Sequence, residues 1–315
     1  MESLQEHIAL GMGIAFHAKN IPDKKAVVSE YGERTFKELN ENSNSYANFL
    51  TDKGLVAGDS VAIICKNRPE FLEALFGPIR VGLRITPINW HLTAEEICYI
   101  VENCEAKVVV CDALFTDFFI EIKQKLPDVL LLSVGGEDSL AIPFLNTIQK
   151  YDKSDISTPV AGRSMLYTSG TTGRPKGVFR KENPPPSKTE QLTLETAAFD
   201  PELDFSICPG PAYHAAPLGL NINPSLMAGV GVYLMDKWDA ETMLSLISEY
   251  KCTHTHMVAT MFHRILRLPN ETRSKYDISS MRWILHGAAP CPVEVKQAMI
   301  DWMGPIVYEY YAATE

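Results

Sequence analysis

The residues with the clearest chemical meaning lie in one segment near the middle of the chain. From Tyr167 to Val178 it reads YTSGTTGRPKGV. Glycines let a backbone approach a ligand closely, and exposed N–H groups in such a loop form a concave site for anions. Hydroxyl groups add donors, and Arg174 and Lys176 add positive charge. This combination favours the binding of a polyphosphate.

The spacing of this loop differs from that of a Walker A loop. A Walker A loop places Lys and then Ser or Thr directly after its last glycine. Here Gly173 is followed by Arg174, Pro175, Lys176 and Gly177, so both the spacing and the final hydroxyl are absent. The sequence therefore disfavours a P-loop NTPase, and a plain flexible turn is the remaining alternative to a specific phosphate loop.

Composition excludes several classes of protein. The chain has 315 residues, of which 46% are hydrophobic and 22% charged, which excludes disordered, collagen-like and coiled-coil proteins. Its length suits two domains or one large multi-lobed domain. The formal net charge of −10 argues against nucleic acid as a partner, because phosphate backbones need a basic face.

Cysteine usage and the apolar stretches bear on location. Seven scattered cysteines without a C-x-x-C pair argue against a secreted disulfide scaffold and favour a cytoplasmic protein. The first 20 residues lack the pattern of a signal peptide. Residues 205–235 carry no Asp, Glu, Lys or Arg, but prolines and glycines interrupt them, so we expect no transmembrane segment. Peripheral membrane contact and the oligomeric state stay open.

Apolar runs alternate with amphipathic stretches along the chain. Capping boxes at Thr35 with Glu38 and at Thr93 with Glu96 predict helix starts, and Pro292 opens a further helix that Gly304 closes. Alternation of this kind predicts an α/β fold with parallel sheets flanked by helices. The predicted buried strands are Val61–Cys65, Lys107–Cys111, Val129–Val134, Gly231–Met235 and Trp283–His286.

The segment from Tyr167 to Val178 resembles the signature loop of the adenylate-forming (AMP-binding) superfamily. That superfamily includes acyl- and aryl-CoA synthetases, firefly luciferase and nonribosomal peptide adenylation domains. Three further segments resemble its motifs in the same order: PAYH ending at His214, HGAAP ending at Pro290, and YAATE ending at Glu315. The amino-acid sequences of these segments are most similar to those of bacterial fatty-acyl-CoA synthetases.

The resemblance implies the large N-terminal domain of such enzymes, with parallel sheets flanked by helices in two lobes. We expect one lobe at 46–190 and the other at 1–45 with 191–315. By the same resemblance, the ribose-binding aspartate, the hinge and the small C-terminal domain with its adenylating lysine fall beyond Glu315. Residues 1–315 would then form an incomplete domain, impaired in turnover.

The implied activity is an ATP-dependent acyl-CoA ligase. A carboxylic acid attacks the α-phosphate of ATP, pyrophosphate leaves, and the acyl-adenylate reacts with coenzyme A. A carboxylate is already ionised at pH 7, so the first step needs positioning and charge neutralisation rather than a base. An aryl-CoA ligase, a carrier-protein-loading ligase and a non-catalytic protein that binds nucleotide or acyl chains are the alternatives.

The resemblance also implies roles for individual residues. Lys176 would hold the loop or the phosphates, Thr314 would contact the α-phosphate, and Glu315 would hold Mg²⁺, which prefers carboxylate oxygen. Tyr311 would stack on adenine against the backbone of the HGAAP segment. The implied nucleotide-binding residues are Thr168, Ser169, Gly170, Thr171, Thr172, Gly173, Gly287, Ala288, Ala289, Pro290 and Tyr311.

Three residues are the implied lining of the acid pocket: His214, His256 and Thr260. His214 would lie beside the carboxylate and the α-phosphate, where a donor or a cation counters their repulsion; the alternative is a polar residue in a Pro-rich turn. His254 and His256, with Cys252 and His263 nearby, also suggest zinc, but a third ligand at settled spacing is missing. Met257, Met261 and Phe262 fit either an apolar tunnel or the core.

One position departs from the superfamily pattern. Ala312 stands where the YAATE-type motif usually has glycine. Its methyl group would narrow the site, or strain the backbone if the position needs a positive φ. The preferred chain length of the acid, and activity itself, therefore depend on whether the site has room for the Ala312 methyl group and on the φ of this residue.

Replacing Lys176 with Ala should weaken ATP binding. The reason is the loss of a charge-assisted contact with phosphate, which is typically worth about 1.5–3 kcal/mol. Titration calorimetry with ATP measures the effect directly. An unchanged nucleotide affinity would remove Lys176 from the site.

Overall fold

The computed structural model describes residues 3–168, 174–179 and 188–311. Within these ranges, strands and helices follow one another along the chain in the alternating order that the sequence predicts. The strands are β1 (Lys25–Ser29), β2 (Gly32–Thr35), β3 (Ser60–Ile64), β4 (Arg84–Pro87), β5 (Ala106–Asp112), β6 (Leu130–Val134), β7 (Ile142–Pro143), β8 (Arg163–Ser164), β9 (Leu166–Thr168), β10 (Lys176–Val178), β11 (Phe205–Cys208), β12 (Gly231–Leu234), β13 (His254–Met257), β14 (Trp283–His286) and β15 (Val307–Glu309).

The helices are named in the same way, and a short π-helical segment, Leu218–Ile222, follows the ninth of them. Among the helices of the described ranges, none is long and apolar enough to cross a membrane. The α-helices are α1 (Leu4–Ala9), α2 (Gly13–Asn20), α3 (Phe36–Asp52), α4 (Pro69–Ile79), α5 (Ala94–Asn103), α6 (Thr116–Lys125), α7 (Phe144–Ile148), α8 (Lys188–Ala197), α9 (Ala215–Pro217), α10 (Asn223–Met227), α11 (Ala240–Tyr250), α12 (Ala259–Leu266), α13 (Asn270–Arg273) and α14 (Val293–Met303).

The chain divides into two compact units, whose boundaries differ from the expected lobes. The first unit comprises residues 1–25 and 31–181, and the second comprises residues 26–30 and 182–315. Residues 1–45 were expected with 191–315, but most of them belong to the first unit, where α2 packs on α3 and α3 packs along α4. Only residues 26–30 join the second unit, where β1 pairs with β12.

A parallel sheet forms the centre of the first unit. Its strand order is β7-β6-β5-β3-β4-β8, and each neighbouring pair is parallel. Its central strands are apolar runs: β3 is fully buried, and β5 is buried except at Lys107, as suits a sheet that is covered on both faces. Two short antiparallel strands, β9 and β10, form a separate hairpin in this unit.

The second unit is built on a parallel sheet as well. Its strands follow the order β15-β14-β13-β11-β12-β1, again with parallel neighbours. One face carries the larger apolar cluster, including Met257, Phe262 and Ile284, while Trp283 and Leu285 contribute to a second cluster with Ala197. The predicted α/β fold with parallel sheets and flanking helices is confirmed.

Local signals in the sequence are found where they were predicted. Thr35 caps α3 and Thr93 caps α5, each with a complete capping box in which the third helical residue is a glutamate. The helix after Pro292 ends at Gly304, whose φ of 86° lies in the region that favours glycine. The predicted strands at Val61–Cys65, Lys107–Cys111, Val129–Val134, Gly231–Met235 and Trp283–His286 correspond to β3, β5, β6, β12 and β14.

Candidate active site

The β9–β10 hairpin holds both flanks of the predicted phosphate loop. Thr168 at the end of β9 pairs with Lys176 at the start of β10. The loop residues Ser169, Gly170, Thr171, Thr172 and Gly173 lie outside the described residues. The Lys176 side chain is exposed, so its ammonium group is accessible to an anionic ligand. Pairing of the two strands thus gives the loop fixed ends, as a site for phosphates requires.

Contacts with α5 position this hairpin. The Tyr167 hydroxyl donates to Oδ1 of Asn103 at 2.5 Å, and the Arg174 guanidinium lies 5.4 Å from the centre of the Tyr99 ring. Burial raises the pKa of Tyr167, which keeps its hydroxyl protonated as a donor. A Cβ at Gly177 would lie 2.2 Å from Cε of Met165 and 3.0 Å from Cζ of Tyr167, so a side chain there would displace Met165 and crowd the Tyr167 ring.

His214 is the residue that precedes helix α9 in the second unit. Its backbone is extended, its carbonyl accepts from the Leu218 N–H at 3.1 Å, and its side chain is exposed. Its ring centre lies 4.6 Å from that of Tyr213, a buried tyrosine whose pKa is raised to about 12 by burial. The π-helical segment follows directly, and such segments are frequent at functional sites.

The two histidines of β13 have different partners. His254 is fully buried, and its Nε2 lies 2.7 Å from the Ala197 carbonyl oxygen, which can only accept a hydrogen bond. Its Nδ1 lies 2.8 Å from the Thr253 hydroxyl. Both ring nitrogens are therefore used within the fold, and the contact of Nε2 with Ala197 is made at the end of α8. In the described ranges, no group of three or more His, Cys, Asp or Glu side chains could hold a metal ion, so nothing supports the zinc alternative.

His256 forms a hydrogen bond with Tyr310, a residue that the sequence motifs did not single out. Its Nε2 lies 3.0 Å from the Tyr310 hydroxyl, and the two ring centres are 5.6 Å apart. Burial lowers the pKa of His256 to about 4, with a smaller effect from His286. His256 is therefore neutral at pH 7 and acts as a hydrogen-bonding group rather than a cation.

The turn after β14 carries the predicted adenine-binding residues. Gly287 lies under the Tyr310 ring, and a Cβ at this position would overlap that ring. Ala288, Ala289 and Pro290 are exposed, as a surface that binds a ligand requires. Tyr311 is 98% exposed, so its ring is accessible for stacking. Residues 312–315, which include Ala312, Thr314 and Glu315, lie outside the described residues.

The other expected pocket residues are divided between the core and the surface. Thr260 is exposed in the first turn of α12, whereas Met257 and Phe262 belong to the larger apolar cluster. Strand alternation places Met257 on the opposite face from His256. Met257 and Phe262 are therefore buried within the core of the second unit.

A family model described as "AMP-binding enzyme" matches residues 14–315. The chain belongs to the AMP-binding enzyme family. The match includes the hairpin, the His214 segment and the turn after β14, so the resemblance seen in the motifs extends over almost the whole chain.

Curated relatives are identical to this chain at about a quarter of the aligned positions. A 4-hydroxybutyrate–CoA ligase of Metallosphaera sedula is 26% identical over 94% of the chain and 55% of its own length. A fatty acid–[acyl-carrier-protein] ligase of Streptomyces coeruleorubidus is 28% identical over 91% and 54%. A 4-coumarate–CoA ligase of Petroselinum crispum is 26% identical over 94% and 55%. The chain thus spans about half the length of these relatives.

Solved structures of other proteins share the fold of this chain. The inhibitor-bound N-terminal domain of FACL13 from Mycobacterium tuberculosis matches with a TM-score of 0.78 and 26% identity, over 98% of this chain and 76% of that one. An anthranilate–CoA ligase in complex with anthranoyl-AMP matches with a TM-score of 0.80 and 22% identity, over 94% and 58%. The second likeness shows the fold alone.

The residue that sequence reasoning missed in this AMP-binding chain is Tyr310. It directly precedes the aromatic residue of the YAATE segment, and the β15 strand was not predicted. Its importance comes from contacts with β13 and β14, which are distant in sequence. The available signal was the alternation along this strand, because Tyr308 and Tyr310 share one face.

Protonation of His256 should lower stability in mild acid. Its pKa is about 4 in the fold against 6.5 for an unperturbed histidine, so the unfolded chain binds the extra proton between these two values. The stabilising contribution is present above about pH 6.5 and is lost as the pH falls toward 4. Between about pH 7.5 and about pH 5, the free energy of unfolding should lose roughly 2 kcal/mol from this group.

Urea unfolding of His256→Asn at the two pH values measures this contribution. The variant should lose less stability on acidification than the parent chain. The matched control is His263→Asn, which changes an exposed histidine of α12. Equal acid sensitivity of the parent and the His256 variant would contradict the assignment of a neutral, buried His256.

Proposed function

We propose that this chain provides the nucleotide- and acid-binding part of an ATP-dependent acid–thiol ligase that makes acyl-CoA. The observation that carries the proposal is the AMP-binding family match over residues 14–315, together with the hydroxyl- and glycine-rich loop between β9 and β10. The matched relatives named above are CoA or carrier-protein ligases, which supports thioester formation as the overall reaction.

In the proposed first step, a carboxylate oxygen attacks the α-phosphorus of ATP. A P–O bond to the substrate forms, the bond to the pyrophosphate oxygen breaks, and pyrophosphate leaves. Thr168, the loop Ser169–Gly173 and Lys176 would bind the β- and γ-phosphates, and Thr314 would contact the α-phosphate. The exposed Lys176 supports this role, because its charge offsets that of the leaving pyrophosphate.

The adenine would lie at the turn after β14, between the backbone of residues 287–290 and the exposed Tyr311 ring. Glu315 would hold Mg²⁺, since a carboxylate offers the hard oxygen ligand that this cation prefers. The bound cation would supply neutralisation of phosphate charge. His214 would donate to the substrate carboxylate or α-phosphate, which its exposed position permits.

In the second step, the thiolate sulfur of coenzyme A attacks the acyl carbon of the adenylate. The thioester C–S bond forms, the mixed-anhydride C–O bond breaks, and AMP leaves. A carrier-protein thiol or an aromatic acid in place of these substrates is the second candidate, which the carrier-protein and coumarate ligases among the relatives favour. All three versions share the adenylation step.

Pyrophosphate release by the protein encoded by the whole gene tests this function. A panel of aliphatic and aromatic carboxylic acids is supplied with ATP and Mg²⁺, and coenzyme A and a phosphopantetheinylated carrier protein are compared as acceptors. Acid-dependent pyrophosphate release is expected, with thioester formed on coenzyme A. Absence of release with every acid would leave only the non-catalytic binding alternative.

Replacing Glu315 with Gln should raise the Mg²⁺ concentration needed for half-maximal pyrophosphate release. A neutral amide oxygen binds the divalent cation less strongly than a carboxylate. The matched control is Glu309→Gln, which removes a carboxylate that is ion-paired with Lys296. A magnesium titration that is unaltered in Glu315→Gln would rule out the metal-binding role.

A further inference from the structure

Two arginines lie side by side at the amino ends of two neighbouring strands in the first unit. Arg84 begins β4 and Arg163 begins β8, and the two residues are partners in the parallel pairing of these strands. Paired residues of neighbouring strands point to the same face of a sheet, and the strands lie about 4.8 Å apart. The two side chains therefore start close together and carry like charges, which repel each other.

Both arginines line a cavity. Its volume is about 210 Å³, which is roughly seven times the roughly 30 Å³ that one molecule of liquid water occupies. A phosphate or pyrophosphate group fits within this volume, whereas the sugar and the base of a nucleotide would remain outside it. The other residues that line the cavity are Gly58, Gly82, Ala161, Gly162 and Phe179.

The backbone of this lining is engaged within the fold. The Gly58 N–H donates to the Gly82 carbonyl oxygen at 2.9 Å, and the Gly162 N–H donates to that of Ile79 at 2.7 Å. The glycines bring no side chains into the cavity. The guanidinium groups of the two arginines are therefore the strong donors that a ligand in the cavity would meet.

Arg84 has a donor that the fold does not use. Its Nη2 lies 2.8 Å from Oε2 of Glu105, but that glutamate side chain is 77% exposed, and exposed ion pairs of this kind are weak. Its guanidinium also lies 5.6 Å from the centre of the Phe179 ring. Its Nε is buried and has no hydrogen-bond partner among the residues that the structure describes. Such a donor is unfavourable, and an oxyanion in the cavity would satisfy it.

The described charges around the cavity favour an anion. Asp59, whose carbonyl oxygen accepts from the Arg84 N–H, is ion-paired with Lys107 at 2.8 Å. Three cations, Arg84, Arg163 and Lys107, thus lie near two carboxylates, Asp59 and Glu105, in a chain whose formal net charge is −10. An anion between the two arginines would offset their repulsion. The planar fork of a guanidinium also matches the oxygens of a phosphate in pairs.

This cavity is separate from the predicted phosphate loop. Phe179 directly follows β10, whereas the loop joins the other end of the β9–β10 hairpin, before Lys176. The three residues of β10 span about 10 Å, which is more than the width of a phosphate group. One bound phosphate therefore cannot occupy both places.

We propose that Arg84 and Arg163 form a binding site for a small phosphate-class oxyanion, either inorganic phosphate or pyrophosphate, at the amino ends of β4 and β8. Both guanidinium groups donate to the oxygens of the anion, and the Nε of Arg84 gains a partner. The site does not depend on the proposed ligase function, because it uses none of the residues assigned to adenylation.

Calorimetric titration of the protein with inorganic phosphate and with pyrophosphate tests this site and shows which anion it prefers. Arg84→Gln and Arg163→Gln should each weaken the binding by about ten-fold or more, as expected for the loss of a charge-assisted hydrogen bond. The matched control is Arg267→Gln, which removes the same charge from an exposed arginine after α12 and should leave the affinity unchanged. Absence of binding to the parent chain, or equal affinity in the parent and both cavity variants, would overturn the proposal.

Titration of Lys176→Ala distinguishes this site from the phosphate loop. This variant should keep the binding that Arg84→Gln loses, because Lys176 lies at the opposite end of β10 from the cavity. If the binding is lost in Lys176→Ala and kept in Arg84→Gln, the anion occupies the phosphate loop and the proposal fails. No acid and no turnover are needed, so a failure of the ligase function would leave this result unaffected.

Protection from phenylglyoxal gives a readout that needs no variant. The reagent modifies arginine side chains, and mass spectrometry of peptides measures the modification at each position. The preferred anion should slow the modification of Arg84 and Arg163 and leave that of Arg267 unchanged. Chloride at matched ionic strength should protect neither cavity arginine. Equal protection by chloride, or no protection by phosphate and pyrophosphate, would overturn the proposal even if the cavity variants failed to fold.

Discussion

Parallel pairing of β13, β14 and β15 is the constraint on which the candidate site of the second unit depends. Parallel strands end at the same edge of a sheet, so the residues that follow them meet without any further element. Here that edge gathers His256, Gly287 and Tyr310 from three distant stretches of sequence. A register shift of one residue in any of these strands would turn its side chains to the opposite face of the sheet. His256, Gly287 and Tyr310 would then no longer lie together.

Features that depend on neighbouring residues could be predicted from the sequence. The continuous apolar runs at β3 and β5 indicate strands buried on both faces, and the structure has them fully or almost fully buried. The capping boxes at Thr35 and Thr93 need only residues three positions apart, and both form. The order of motifs was likewise sufficient for the AMP-binding family, because each motif is short and contiguous.

Features that depend on long-range contacts could not be predicted in this way. The antiparallel β9–β10 hairpin depends on contacts of Tyr167 and Arg174 with α5. Residues 26–30 belong to the second unit because β1 pairs with β12. Likewise, nothing in the alternation of β13 distinguishes His254 from His256. The difference lies in what faces them: a carbonyl oxygen at the end of α8 in one case and the Tyr310 hydroxyl in the other.

Gly287 illustrates how one residue can satisfy two requirements. By resemblance it allows the backbone to approach adenine, which would make it a feature of nucleotide binding. The structure adds a steric requirement, because the Tyr310 ring fills the volume that a side chain would need. Backbone conformation is not the reason for the glycine, since the positive φ of this turn, 65°, falls on Ala288. An alanine in that region costs about 1 kcal/mol, and the chain tolerates this cost one residue away from the glycine. The identity of residue 287 is therefore tied to that of residue 310, because a larger side chain at 287 would need the space that the Tyr310 ring occupies.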